Sequence, residues 1–387
     1  MTTPHVHLNT LLERVTFGRP VAEVLPQEIE RVRARRVFVV TNRSLSTSPA
    51  LRAIVESLGS THAGTYSSVP AFTPRECVIE GALAARTADA DLLLAFGGGS
   101  VIDATKAMLL CMRHGYTDTA DLDPHAGVGY NNQQYGSPDA SQWRRMVAVP
   151  TAFSAAEYTA RGGVMDMRDR LKQSFSHPMM MAQVVINDPE MTRTAPMAML
   201  LSTGMKAVDH AVERLTSKWA NSYSDAVSTL ALRLLREGLP ALLRDPSDLA
   251  LRADLQYGVF MSMAGLASGV TTGLSHAIGH ALGSFAGVSH GHTSCLLLPS
   301  VMRWIGDVIP ERQRLVCETL GRPGADAGAA LESLIVGLGL PVRLGAVGVK
   351  TEDFETITER AMHDPLVANC PKPVAHADVR SILEAAL

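Results

Sequence analysis

DLLLAFGGGSVIDATKAM, residues 91–108, decides the fold. Its first half is an apolar run of strand length. Its second half carries apolar residues at helical spacing, and Gly97, Gly98 and Gly99 join the two. Glycines at such a junction put no Cβ between the backbone and a ligand. Ser100 adds a hydroxyl. The helix that opens here aims its free amides and the positive end of its dipole at the same place, which suits a pyrophosphate. The motif is neither GxGxxG nor the P-loop pattern, so neither common nucleotide-binding assignment follows. A tight strand-to-helix turn with no ligand is the other reading, and the triple glycine alone does not choose between them.

Working outward, RRVFVVTN (35–42), MVAVPTAFS (146–154) and VVINDP (184–189) are further strand-like runs that end in turn residues. Helical patterns such as LRAIVESLG (51–59) and VIDATKAMLLCM (101–112) lie between the runs. The alternation predicts a parallel sheet with crossover helices, whose ligands gather at the carboxyl ends of the strands. In VPTAFSAAEYT (149–159), Thr151 and Ser154 are able to hydrogen-bond a ribose, a phosphate or a carboxamide, although alone they also read as a polar turn. From about 191 onward the chain is rich in Ala, Leu and Met at helical spacing. The expected organisation is an α/β domain over 1–190 and an all-helical domain over 191–387, in keeping with a length beyond one typical core. Residues 113–145 are polar and turn-rich and predict a long loop: a lid, an interface element or a mobile segment.

A net charge of −3 gives no global pull toward nucleic acid or an anionic membrane surface. The five cysteines are scattered and never form a CxxC pair, which argues against a disulfide framework and a thiolate zinc site. The first residues, MTTPHVHLNTLLERV, lack a basic segment followed by an apolar run, and no apolar run reaches membrane-spanning length. A cytoplasmic protein acting on a small molecule is expected.

The chemistry-bearing residues concentrate in the second half. In GLSHAIGHALGSFAGVSHGHTS (273–294), His276 and His280 are four apart and share a helix face. Gly283 and Gly287 are able to end that helix, and SHGH reads as a loop or a helix start. In GMKAVDHAVE (204–213), on a helix beginning near Thr203, Lys206 and His210 share a face. Three imidazoles converging from separate segments would make a divalent-metal site. Most single histidines among thirteen in a chain are core or surface residues, but four within 273–294 beside a glycine-rich turn point to function.

GGGSxxDxxK at 97–106, PTAFSxxE at 150–157, DPE at 188–190, GMxAxxHAVE at 204–213 and HxxxH-x9-HG at 276–291 occur in this order. Together they resemble the iron-containing, or group III, alcohol dehydrogenase superfamily, of dehydroquinate synthase-like architecture, over nearly the whole chain. SAAEYT (154–159) and the tail NCPKPVAHADVRSILEAAL (369–387) are similar to the maleylacetate reductase branch. The resemblance implies a dinucleotide-binding α/β domain, a helical domain, an active site in the cleft and a homodimer. It implies that Gly98, Gly99, Ser100 and Asp103 surround the pyrophosphate, with Thr151 and Ser154 along the nicotinamide side. His280 matches the family histidine credited with proton transfer. His210, His276 and His290 match three of the four metal ligands. The fourth is an aspartate, and here Lys206 stands in its place. The resemblance also implies that maleylacetate reductases depart from aspartate there and work without metal.

After the first strand, members that prefer NAD tend to carry an acidic residue for the ribose hydroxyl. This chain has Asn42 and then Arg43. Removing the repulsion predicts tolerance of NADPH, and the plainer reading is that Asn42 bonds the ribose. An ammonium repels a dication. Asp209 points roughly 100° away from His210 around the helix and does not easily replace the lost ligand. Lys206 is expected to stabilise the oxyanion or bind a substrate carboxylate, with His276 beside it and His280 delivering the proton. Schiff-base chemistry at Lys206 is a further reading, and outward pairing with Asp209 or Glu213 is the plain one. The expected function is thus NAD(P)H-dependent reduction of a carbonyl or unsaturated keto acid, with a metal doubtful. The alternatives are a metal-dependent alcohol dehydrogenase using His210, His276 and His290, and a nucleotide-binding homologue with little catalysis.

Overall fold

The structure, a computed structural model, describes residues 6–8, 10–127, 140–169 and 171–387. The expected loop over 113–145 lies outside the described residues at 128–139; its described beginning forms a short 3-10 segment, Thr119–His125. The chain divides into two compact units, Thr10–Ala195 and Pro196–Leu387, the second also taking up residues 6–8.

The first unit is built on a six-stranded sheet: β1 (Arg14–Phe17), β2 (Val37–Val40), β3 (His62–Tyr66), β4 (Leu92–Gly97), β5 (Arg145–Pro150) and β8 (Val184–Asn187). All pairings are parallel, in the order β1-β8-β5-β4-β2-β3. Four of these strands fall on the apolar runs of the sequence. β2, β4 and β8 are buried throughout, as a parallel sheet covered on both faces requires. On one face, Val37, Val39, Leu92, Leu94, Phe96, Val147, Val149, Val184 and Ile186 pack against the helices α1 (Val21–Val32) and α2 (Pro49–Leu58). On the other, α3 (Arg75–Thr87) packs on α4 (Gly99–His114), and α4 packs on β4 and β5. An antiparallel hairpin of β6 (Arg161–Asp166) and β7 (Leu171–Ser176) also lies against α4.

The second unit is helical among its described residues. It contains α5 (Met197–Leu215), α6 (Ser222–Arg244), α7 (Leu249–Ala264), α8 (Leu274–Ala286) and α9 (His290–Ile305), followed by α10 (Pro310–Thr319), α11 (Ala327–Gly337), α12 (Phe354–Met362) and α13 (His376–Ala385). α5 is its central element, buried at fourteen positions and packed against α6, α7 and α9. It starts after Pro196, earlier than the start near Thr203 read from the sequence, and its buried stripe already begins at Leu200 and Leu201. α8 runs through Gly283 and stops at Gly287, whose left-handed backbone (φ 65°) is its C-cap. The fold is therefore an α/β unit with a parallel sheet followed by an all-helical unit. Among the described residues no helix is long and apolar enough to cross a membrane.

Candidate active site

In the α/β unit, β2, β4 and β5 are neighbours and their carboxyl ends lie at one edge of the sheet. This edge collects Asn42 after β2, Gly97–Ser100 after β4 and Thr151–Ser154 after β5. The turns are tied together: Thr41 Oγ1 donates to Phe96 O at 2.8 Å, and Thr151 N donates to Gly97 O at 3.1 Å. The three glycines differ in what demands them. A Cβ on Gly97 would lie 2.6 Å from Val101 Cγ2, and one on Gly99 would lie 3.2 Å from the Ser154 side chain. A Cβ on Gly98 would meet nothing nearer than Ala152 Cβ at 3.8 Å. Close packing bears on the first two, and Gly97 also has a positive φ, whereas at Gly98 a Cβ would make only an ordinary contact. α4 begins there with no side chain capping it. Its first amides and dipole are thus left for an anion.

Asp103, a turn into α4, faces the hairpin and Lys106: its Oδ1 is 3.9 Å from Lys106 Nζ. Lys106 is fully buried and donates to Ala156 O, to Thr159 Oγ1 at 3.1 Å and to Arg161 O at 2.8 Å. It thereby ties the glycine-turn helix to the segment that follows Ser154. Burial pulls its pKa down to about 8, against the attraction of Asp103 and Glu157. Asn42 Oδ1 accepts from Ser44 Oγ at 2.8 Å and from Leu45 N at 3.0 Å, so that oxygen serves its own turn.

In the helical unit, α5, α8 and the start of α9 bring four imidazoles together. His210 stacks on His276 with ring centroids 4.9 Å apart, and His280 stacks on His290 at 5.2 Å. His276 stands edge-on to His280 at 6.2 Å and to His290 at 6.0 Å. His290 is the first residue of α9, with Ser289 as N-cap, so SHGH is a helix start. Lys206 is half-buried on α5, and its charge helps to lower the pKa values of His210 and His276. Burial is the larger cause for both. It takes His276 down to about 3 and His210 well below the ordinary range.

Two carboxylates lie behind this cluster. Glu213 Oε2 accepts from Gly273 N at 2.8 Å and lies 2.7 Å from His276 Nδ1, while Oε1 accepts from Ser275 N at 2.6 Å. It therefore caps the start of α8 and orients the imidazole in one contact set. Asp209 Oδ2 accepts from Ser275 Oγ at 2.9 Å and is 3.5 Å from His276 Nδ1. Burial raises both carboxyl groups to about 7. With Nδ1 held by a carboxylate, His276 turns its Nε2 lone pair the other way. His276 Nε2 and His210 Nδ1 are both buried without a hydrogen-bond partner among the described residues.

The sequence placed Lys206 and His210 on one face and set Asp209 to the side. The structure shows what occupies that side, which is His276 and Ser275. It also adds Asp364, whose Oδ2 is 2.7 Å from His280 Nδ1. Glu213 could have been noticed, one turn beyond His210 in the same motif. Asp364 lies 84 positions from His280 and carries no local signal.

Residues 13–189 match the family model for iron-containing alcohol dehydrogenase, and residues 200–387 match that for the Fe-containing alcohol dehydrogenase family, C-terminal. The chain is 27% identical over 374 residues to a maleylacetate reductase of Rhizobium sp. (strain MTP-10005), covering 96% of this chain and 95% of the relative. It is 30% identical over 378 residues to maleylacetate reductase 2 of Cupriavidus pinatubonensis, covering 96% and 94%. The crystal structure of a maleylacetate reductase from Agrobacterium tumefaciens superposes with a TM-score of 0.83 at 26% identity, covering 100% of this chain and 98% of that one. Fold, motif order and both family matches agree that this chain is an oxidoreductase belonging to the iron-containing alcohol dehydrogenase family.

Proposed function

We propose that the protein is an NAD(P)H-dependent reductase of a carbonyl or unsaturated keto acid, and that it works without a catalytic metal. The observation that carries this reading is Lys206, an ammonium beside the imidazoles of His210 and His276. A dication held by His210, His276 and His290 would face a positive charge, and three neutral imidazoles bring no anion to offset it. Asp209, Glu213 and His276 do bring ligand atoms within 4.8 Å of one another. These meet on the Nδ1 side of His276, however, where the 2.7 Å separation from Glu213 is that of a hydrogen bond already made. The set does not suit a tightly held iron or zinc.

A reduced nicotinamide, when bound, supplies the hydride. Gly98, Gly99 and Ser100 at the start of α4 take the pyrophosphate, and Thr151 and Ser154 lie along the adjoining turn. Asn42 brings no negative charge to the ribose, and exposed Arg43 follows it, which favours acceptance of NADPH as well as NADH. Lys206 holds the acceptor oxygen as negative charge develops on it, or holds a substrate carboxylate. His280 delivers the proton to that oxygen through Nε2, keeping its proton on Nδ1. The likeness to proteins named maleylacetate reductase supports an unsaturated keto acid as acceptor.

The unpartnered His210 Nδ1 and His276 Nε2 favour a second reading, metal binding by His210, His276 and His290. Oxidation of NADH and NADPH over a panel of aldehydes and keto acids, with and without chelator, tests the choice. It is joined to metal analysis of protein purified without added metal. We expect chelator-insensitive turnover and far less than one metal per chain. Stoichiometric zinc or iron establishes the second reading instead, and cofactor binding with no turnover makes the chain a nucleotide-binding homologue.

A further inference from the structure

We infer that Asp364 is a positioning residue for the proton-transfer step: it fixes the tautomer and the ring orientation of His280. The inference rests on the reading of His280 as the proton donor. His280 lies on the second turn of α8 and is about one-third exposed. Its Nδ1 is 2.7 Å from Asp364 Oδ2. The other oxygen, Oδ1, accepts from Leu366 N at 2.9 Å and so caps the 3-10 turn Pro365–Asn369. That contact holds the carboxylate in one rotamer. The turn is anchored in its own right, because Asn369 Nδ2 donates to Thr271 Oγ1 at 2.7 Å and to Thr272 O at 3.0 Å, immediately before α8. One short segment therefore grips both the entrance to α8 and the imidazole on its second turn. The stacked His290 ring, only 6° from parallel, flanks the other side.

A carboxylate only accepts, so in the neutral ring the proton sits on Nδ1 and the lone pair on Nε2. In reduction, Nε2–H of the protonated ring passes its proton to the acceptor oxygen while Nδ1–H stays bonded to Asp364. One N–H bond breaks and one O–H bond forms. In the oxidative direction the Nε2 lone pair takes the proton back. If the ring carried its proton on Nε2 instead, it would have no lone pair there to accept one.

The test compares the intact wild type with Asp364→Asn, Asp364→Ala and His280→Asn. Asparagine caps a turn as well as aspartate does, yet its amide is able to donate to Nδ1 and so favours the opposite tautomer. Nitrogen-15 NMR of histidine-labelled protein reads the tautomer with no substrate present. We expect the Nδ1–H form for His280 in the wild type and a shift to Nε2–H or a mixture in Asp364→Asn, at an unchanged Tm. With NADPH and an acceptor that is turned over, kcat of Asp364→Asn should fall on the order of 10²–10⁴-fold with little change in the KM for NADPH. An Nδ1–H signal that survives in Asp364→Asn overturns the inference. So does a kcat loss that only tracks a fall in Tm, which would make Asp364 a turn cap alone. Full activity in His280→Asn brings down the proton-donor reading and the inference with it. Loss of activity in His280→Asn beside an unaffected Asp364→Asn brings down the inference alone.

Discussion

At Lys206 a cation stands where the family resemblance expects a carboxylate, and the neighbouring imidazoles respond to it. Both His210 and His276 are buried and pushed toward the neutral form, by burial first, with Lys206 and Arg214 as the nearby cations. Lys206→Met keeps the stem of the side chain and removes the charge. We expect kcat to fall by roughly two to three powers of ten, with Tm close to the wild type. Unaltered kcat would refute a role for the ammonium in turnover. The residue itself was legible because a spacing of four puts Lys206 over His210 on any helix. The carboxylates behind His276 were not. Asp209 and Glu213 meet Ser275 and His276 across more than sixty residues of chain, and periodicity along one helix says nothing about what a second helix brings.

Elements were legible in proportion to their burial. β2, β4, β5 and β8 sit inside a sheet covered on both faces, and each shows as an apolar run. β3 is an edge strand reading HAGTY, without one fully buried residue, and nothing in its composition sets it apart. The hairpin β6–β7 is likewise half-polar, so it left no run to find. The strand-to-helix turn after β4 is visible from its glycines, but what each glycine does depends on the side chains of Val101, Ala152 and Ser154 folded against it. Gly97→Ala would press a methyl against Val101 and should cost about 1–3 kcal/mol of stability. Adding Val101→Ala should return only a minor part, because the Cβ of residue 101 would still lie 2.8 Å from the new methyl. Gly98→Ala makes only an ordinary contact, 3.8 Å from Ala152 Cβ. It should leave Tm unchanged and raise the KM for NADPH at least several-fold, because the methyl would stand where the pyrophosphate approaches. An unchanged KM would remove the phosphate role from this turn.

Over the whole molecule, Lys106 links folding to pH. Its ammonium is fully buried against Ala156 O, Thr159 Oγ1 and Arg161 O, and burial is the larger influence on it. The folded-state pKa is about 8, against 10.5 for the unperturbed group. Between these values the unfolded chain still holds a proton that the folded chain has released. The unfolded state binds more protons there, so this group's contribution to stability increases as pH rises through the window. At 1.4 kcal/mol per unit, the gain by pH 9.5 is about 2 kcal/mol relative to neutral pH. The rest of the chain titrates in the same range, so the measurement must be a difference. Urea unfolding of the wild type and of Lys106→Met at pH 7 and pH 9.5 isolates the term. The wild type should gain about 2 kcal/mol on the variant across that interval. A constant difference would mean that Lys106 keeps its proton at pH 9.5, and that its three acceptors outweigh the cost of burying the charge.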